Sequence, residues 1–195
     1  TNGTFAIYKG VQQLRETAES LTQVSGGVLA NIRPMAHHYG TQDPQAVIQT
    51  ATTLLGFDRL KGVLWQWASN QLQPISIQRK VASYFMRKSE GMPPDGLSVA
   101  GWDQGNNEVL FSFPDVTFTE IGDDGLPLSV KEAAETIQYY DPKNAFISRM
   151  AYSPDFWGHT SLQLYSFKDG KLWRHEARFG KNSLNVIAGV QREAS

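Results

Sequence analysis

The sequence predicts an α+β fold in which a helical N-terminal half packs on a mainly antiparallel β-sheet formed by the C-terminal half. In the first half, apolar residues recur at intervals of three and four, which is typical of amphipathic helices. In the second half, apolar and polar residues alternate between turn signals, which is typical of strands. We therefore expect a single domain over residues 1–195, with a helical part from about residue 4 to 90 and a β-rich part from about residue 96 to 191.

The composition is that of an ordinary soluble globular protein and excludes several classes of partner. The 195 residues are 41% hydrophobic and 19% charged, with a net charge of −1 and no cysteine. Because nucleic-acid binding normally requires a clustered basic excess, we expect no nucleic-acid partner. No apolar run is long enough to predict a transmembrane segment. The lack of cysteine excludes disulfides and thiolate metal sites.

Four helices are predicted in the N-terminal half. The first rests on an apolar stripe over residues 5–24, and the second begins at Asp43-Pro44, an N-cap followed by proline, and ends at Gly56. The third covers residues 58–72, where Trp65 and Trp67 would face different directions. The fourth carries an apolar stripe, is closed by Gly91 and leads into a linker-like stretch over residues 89–96; the stripe is formed by Ile77, Val81 and Phe85.

Strands dominate the prediction after the linker-like stretch. Alternating patterns predict strands over residues 97–102, 108–113 and 116–121. A Ser-x-x-Glu capping box at Ser129 and Glu132 predicts a helix that carries Ile137 and ends at Asp141-Pro142. Residues 144–152 alternate again and are assigned as a strand that precedes the three C-terminal strands in a four-stranded meander, with residues 153–158 as the connection.

The C-terminal stretch predicts three antiparallel strands with a defined register. Asp169-Gly170 is a two-residue hairpin signal, which places Leu164 opposite His175 and Ser166 opposite Trp173. A second turn over residues 180–183 would pair Trp173 with Val190 and His175 with Ala188. The register therefore places His175 on the apolar face of the sheet.

No catalytic or cofactor motif is present, so we predict no catalytic residues, no cofactor and no metal site. The sequence lacks the nucleophile elbow, the phosphate-binding loop, the dinucleotide fingerprint and the zinc helix. His37 and His38 are adjacent in a polar loop, and no carboxylate at suitable spacing completes a ligand set.

Four residues are the candidates for binding a partner or a ligand: Phe156, Trp157, His159 and His175. The two aromatic residues of the Phe156–His159 loop either cover the open end of the sheet or anchor a partner, and the first interpretation is favoured. His175 is interpreted as a buried structural histidine, with a ligand or a catalytic base as the alternative.

These observations favour a non-catalytic protein–protein interaction or assembly module of a larger complex, with an unidentified protein as its partner. One alternative is a small-ligand-binding protein with a pocket between the helices and the sheet, where His175 or Arg149 would orient the ligand. A second alternative is a hydrolase, which would require at least two of the four histidines to converge with an acid. The sequence does not indicate a cellular compartment.

Overall fold

A computed structural model describes the backbone of residues 6–9, 12–17, 20–25, 31–34, 39–69, 71–160, 163–175, 184–186 and 191–192. Side chains are described for residues 39–69, 71–160 and 163–175. The backbone contacts divide the chain into two compact units, Thr1–Gly40 and Thr41–Ser195, and each is described by itself. The expectation of one domain stays a prediction.

The first unit contains strands where a helix was predicted. Strand β1 (Ala6–Lys9) pairs with β4 (Asn31–Pro34), and β2 (Gln12–Thr17) pairs with β3 (Ser20–Ser25), both antiparallel. The helical N-terminal half predicted over about residues 4–90 is therefore wrong, and so is the α+β class. Gly10, which lies between β1 and β2 in the sequence, is a residue that disfavours a helix interior.

The second unit is built around a four-stranded antiparallel sheet, the central sheet. Its strands are β9 (Val99–Asp103), β10 (Glu108–Phe113), β13 (Glu135–Tyr140) and β14 (Ala145–Met150), in the order β14-β13-β10-β9. Side chains alternate across this sheet, so that Phe111 and Leu110 belong to different hydrophobic clusters. The sheet therefore carries apolar packing on both faces.

A four-stranded meander and two short helices supply the rest of the main core. The meander consists of β5 (Val47–Gln49), β6 (Leu54–Asp58), β7 (Val63–Ala68) and β8 (Gln71–Gln73). Helices α1 (Ile75–Gln78) and α2 (Ala82–Gly91) follow. The core joins buried side chains of these elements to one face of the central sheet; it includes Leu55, Phe57, Leu64, Ile75, Phe85, Val109, Phe111, Phe113, Ile137 and Tyr139.

The helices predicted to begin at Asp43-Pro44 and to cover residues 58–72 are therefore wrong as well. Only a 3₁₀ turn forms at Pro44–Ala46. Within residues 58–72 the chain turns at Gly62, whose φ of 60° favours glycine. The apolar residues before and after this turn therefore do not share one helix. Because residues two apart share one face of a strand, Trp65 and Trp67 lie on the same side of β7.

The fourth predicted helix corresponds to α1 and α2, and α2 ends at Gly91 as predicted. A Cβ at Gly91 would lie 3.0 Å from the Cβ of Val116, so glycine permits close packing of the helix end against this valine. The linker-like stretch after it is held by Arg59, whose Nη1 donates to the carbonyl of Gly96 (2.7 Å) and whose Nη2 donates to that of Met92 (3.3 Å).

A two-stranded hairpin replaces the helix predicted from the capping box. Strand β11 (Val116–Ile121) is paired with β12 (Pro127–Glu132), which contains Ser129 and Glu132. The capping box is overridden because Ser129 pairs across the hairpin with Thr119, and Glu132 contacts Lys88 (2.9 Å). The strands predicted over residues 108–113 and 116–121 are confirmed, and the strand predicted over 144–152 is confirmed as β14. Its predicted place in a meander with the C-terminal strands is wrong, because β14 pairs with β13 in the central sheet.

The last sheet contains β15 (Phe156–His159), β16 (Leu164–Lys168), β17 (Lys171–His175), β18 (Leu184–Val186) and β19 (Gln191–Arg192) in that order. The Asp169-Gly170 turn is confirmed, with φ values of 52° and 71°, and so is the pairing of Leu164 with His175. The second register is wrong: Trp173 pairs with Val186, four residues before Val190. Because the shift is even, both pairings leave the same residues on the same face.

Candidate functional site

The last sheet places the four candidate residues on two opposite faces. Cross-strand neighbours share a face, and one row runs from His159 through Leu164 to His175. Trp157 lies on this same face, two residues before His159. Phe156 lies on the other face, opposite Phe167. The predicted loop is thus a strand, and its alternation separates Phe156 from the other three candidates.

Trp157 is a core residue and not an exposed anchor. Its side chain is buried in the second hydrophobic cluster with Val99, Leu110 and Leu164. A Cβ on Gly101 would lie only 2.5 Å from the Cγ of Trp157, so the ring packs directly on the backbone of β9. The indole Nε1 donates to Ser112 Oγ (2.8 Å), which satisfies the buried donor. These contacts agree with the interpretation that the loop covers the sheet.

His175 belongs to a buried polar network that the sequence did not reveal. Its Nε2 is hydrogen-bonded to Ser166 Oγ (2.7 Å), and that oxygen is also hydrogen-bonded to the Tyr152 hydroxyl (2.7 Å). The rings of Trp157 and Tyr152 lie against the imidazole, with centroid distances of 5.1 and 5.9 Å. The only sequence signal for this network was Ser166 itself, a polar residue at a position that the register directs inward.

Burial keeps His175 neutral at physiological pH. It lowers the pKa of the imidazole to about 4, because the surrounding apolar groups disfavour the charged form, and the nearby Asp103 carboxylate opposes this effect only in part. Burial also raises the pKa of Tyr152. Ser166 is fully buried, whereas His175 is only partly buried. The arrangement suits a structural role.

His159 and His175 do not converge on an acid. His159 is exposed and packs against Trp102, with ring centroids 5.6 Å apart, while Leu164 lies between the two histidines in the sheet. Within residues 39–69, 71–160 and 163–175, no carboxylate is hydrogen-bonded to either imidazole. The same residues contain no cluster of histidine and acidic side chains that could hold a metal ion. His37 and His38 lie outside the described residues.

Two groups of exposed large apolar side chains lie on or next to paired strands. Phe156 and Phe167 form a pair on the outer face of the last sheet, with centroids 6.0 Å apart and exposures of 51% and 42%. The second group lies at the hairpin tip, which we define as residues 119–129 of β11, β12 and their turn. Ile121, Leu126 and Leu128 are 72%, 63% and 56% exposed there.

The fold and these surfaces define a mainly antiparallel β-protein with two hydrophobic clusters and exposed apolar side chains. A family model described as the Crassvirus muzzle protein matches residues 15–170 of the chain. Because the match covers most of the sequence, the chain belongs to this family. No curated protein matches the chain. No helix in the described part of the chain is long and apolar enough to cross a membrane.

Proposed function

We propose that the protein is a structural subunit of a crassvirus assembly that acts through protein–protein contacts and not through catalysis. The observation that carries this proposal is the hairpin tip. Its three large aliphatic side chains are more than half exposed, which is unfavourable in water unless another surface covers them. Membership of the Crassvirus muzzle protein family supports an assembly role.

The hairpin has a fixed base and an open end. At the base, Val116 is fully buried, Phe118 is nearly so, and the Arg87 guanidinium lies 5.7 Å from the centre of the Phe118 ring. From residue 119 onward the side chains become exposed, and Ile121 and Leu128 lie on opposite faces of the ribbon. Among the described strands, β11 and β12 pair only with each other, so their outer edges have no strand partner. A partner could therefore enclose the tip and also pair with its backbone.

We propose that the predicted candidate residues form a second contact on the last sheet. Phe156 supplies the exposed ring together with Phe167, and His159 lies at the end of the same strand. Trp157 and His175 lie on the inner face, and their hydrogen bonds help to hold in place the sheet that carries Phe156. The exposed aromatic pair is the kind of side chain that contributes most to protein interfaces.

The proposal is tested with purified crassvirus particles that encode this chain. We expect mass spectrometry to find the chain in the particles in a fixed ratio to the other structural proteins. The double variant Ile121→Ser/Leu128→Ser should reduce its incorporation about tenfold or more, because two of the three exposed aliphatic side chains of the tip are removed.

Leu97→Ser is the matched control, since Leu97 is 54% exposed but lies outside the hairpin. Its incorporation should equal that of the unchanged chain. If the chain is absent from purified particles, the structural role is wrong. If the chain is present and the tip variant is incorporated normally, the hairpin is not the contact.

A further inference from the structure

An open groove lies beside the central sheet, and its lining shares no residue with the hairpin tip or the Phe156–Phe167 pair. Its volume is about 480 Å³, which is within the range of small-molecule sites. It is bordered by the loop of residues 50–53, by β7 and β8, by the turn after β9 and by the 3₁₀ turn at Asp141–Lys143. We call it the Asp141 groove.

The Asp141 carboxylate is fixed in this groove by three uncharged donors. Oδ2 accepts hydrogen bonds from the hydroxyls of Thr50 (3.0 Å) and Thr53 (3.1 Å), and Oδ1 accepts one from Gln66 Nε2 (3.2 Å). Gln66 is itself buried. Since a carboxylate offers about four acceptor positions, roughly one remains for a ligand. The network orients the carboxylate without neutralising its charge.

The neighbouring amide of Asn144 is fixed in the same way. Its Oδ1 accepts hydrogen bonds from the Tyr139 hydroxyl (2.6 Å) and from Arg79 Nε (3.2 Å). Arg79 approaches from outside the groove and does not line it. The floor is thus built from polar groups whose positions are set by the fold, as in sites that recognise a ligand of defined shape.

The groups that remain available can both donate and accept hydrogen bonds. Thr52 and Asn107 line the groove, and neither side chain is hydrogen-bonded within the described part of the chain. Gln73 also lines it and makes only a long contact with Gln71 (3.5 Å). Hydroxyl and amide groups match a ligand that is itself rich in hydroxyls, because each sugar hydroxyl both donates and accepts.

Trp102 gives the groove an aromatic wall. Its side chain is partly exposed and is held from one side by His159. The face of an indole carries partial negative charge, so the polarised C–H groups of a pyranose ring pack on it favourably. An aromatic wall next to a fixed carboxylate and free amides suits a ring that is apolar on its face and polar on its edge.

The charge of the lining argues against other ligand classes. No lysine or arginine lines the groove, so a phosphate or another anion would lack a counter-charge beside Asp141. A metal ion would have to displace donors that already occupy the Asp141 oxygens, and no second acidic residue lines the groove.

We propose that the Asp141 groove binds a neutral oligosaccharide, which packs a sugar ring on Trp102 and donates a hydroxyl hydrogen bond to Asp141. Thr52, Gln73 and Asn107 bond the remaining hydroxyls. This site is separate from the hairpin tip and from the Phe156–Phe167 pair.

Saturation-transfer NMR with cellotriose, maltotriose, chitotriose and laminaritriose, each at about 10 mM, tests the proposal. We expect at least one trisaccharide to bind the full-length chain. The double variant Thr52→Ala/Asn107→Gly should weaken that binding about tenfold, because two hydrogen-bonding groups are lost. Asn107 has a φ of 55°, so glycine fits its backbone and the variant should keep its fold.

Thr119→Ala/Asp169→Gly is the matched control, since it combines an exposed strand threonine with a turn residue at a φ of 52°. It should bind like the unchanged chain. Trp102→Leu, checked for folding by circular dichroism, should abolish binding. If no trisaccharide binds, or if the Thr52→Ala/Asn107→Gly variant binds as tightly as the unchanged chain, the proposal is wrong, and the assembly role is unaffected.

Discussion

His175 shows how a single, largely enclosed residue can make the stability of the protein depend on pH. Its imidazole is held between the rings of Trp157 and Tyr152 and is hydrogen-bonded to the fully buried Ser166. Burial favours the neutral form, so the folded protein takes up the proton only near pH 4, whereas the unfolded chain takes it up near its ordinary pKa of 6.5.

The first prediction at this scale is a loss of stability in acid. Because the pKa is lowered in the folded state, the contribution of His175 is complete above pH 6.5 and is lost as the pH falls from 6.5 towards 4. The loss should amount to about 3 kcal/mol at most. His175→Gln keeps a polar group near Ser166 but does not titrate, so its free energy of unfolding should fall less over this interval.

Urea unfolding between pH 7.5 and 4 measures this difference. His159→Gln is the control, because His159 is exposed and its loss should not change the pH dependence. If His175→Gln keeps the full slope of the unchanged chain, the protonation of His175 is not its source.

At the scale of elements, Lys88 attaches helix α2 to strands β12 and β13. Its side chain is fully buried, and Nζ lies 2.9 Å from Glu132 Oε2 and 2.7 Å from Glu135 Oε1. Tyr84, one turn earlier on the same helix, lies under the ammonium group, with Nζ 5.5 Å from the ring centre. A lone buried ammonium would be very costly, so the two carboxylates are required for this packing.

We predict that Lys88→Met lowers the free energy of unfolding by about 3 kcal/mol, because two partly buried carboxylates lose their buried counter-charge. Only the longer contacts of Glu132 with Arg87 (3.6 Å) and of Glu135 with Arg149 (3.9 Å) would remain. Lys88→Met/Glu132→Gln/Glu135→Gln should recover a large part of this loss. Lys131→Met is the matched control: the Lys131–Asp115 pair is exposed, at 68% and 54%, and should contribute less than about 1 kcal/mol. Equal losses for the two lysine variants in urea unfolding would contradict the prediction.

Local signals decided which elements could be predicted from the sequence. The Asp169-Gly170 turn fixes its own backbone and the pairing of the two strands beside it, so β16 and β17 were predicted with the correct register. The helices of the N-terminal half were wrong because an apolar spacing of three or four also arises when a short strand ends and the next begins. Leu60 and Leu64 fit a helical stripe, yet Gly62 turns the chain between them.

The candidate site was predicted in part for the same reason. The position of His175 on the inner face follows from the predicted register. The exposure of Phe156 on a strand was not predicted, because residues 153–158 were predicted to form a connection. The Asp141 groove does not follow from the sequence either, because Thr50 and Asp141 are 91 positions apart and their contact depends on how separate sheets pack. The pocket expected between helices and sheet, with His175 or Arg149 in its wall, is not this groove, since neither residue lines it.

At the scale of the molecule, the central sheet connects the two hydrophobic clusters of the second unit. Along β10, Val109 and Phe111 belong to the main core, whereas Leu110, between them, packs with Trp157 and Leu164. Strand β10 therefore contributes side chains to both clusters, and its unfolding would disrupt both. The two clusters should lose their structure together.

We therefore predict that the fragment Thr41–Ser195 unfolds in one cooperative step, with coincident transitions by tryptophan fluorescence and far-ultraviolet circular dichroism. Leu64→Ala, in the main core, and Leu164→Ala, in the second cluster, should each move this single transition to lower urea concentration. The corresponding loss in the free energy of unfolding should be about 2–5 kcal/mol. Leu60→Ala is the control, because Leu60 is 70% exposed and should have little effect. If each core variant moves a different transition, the central sheet does not couple the clusters, and the second unit consists of two separately folding parts.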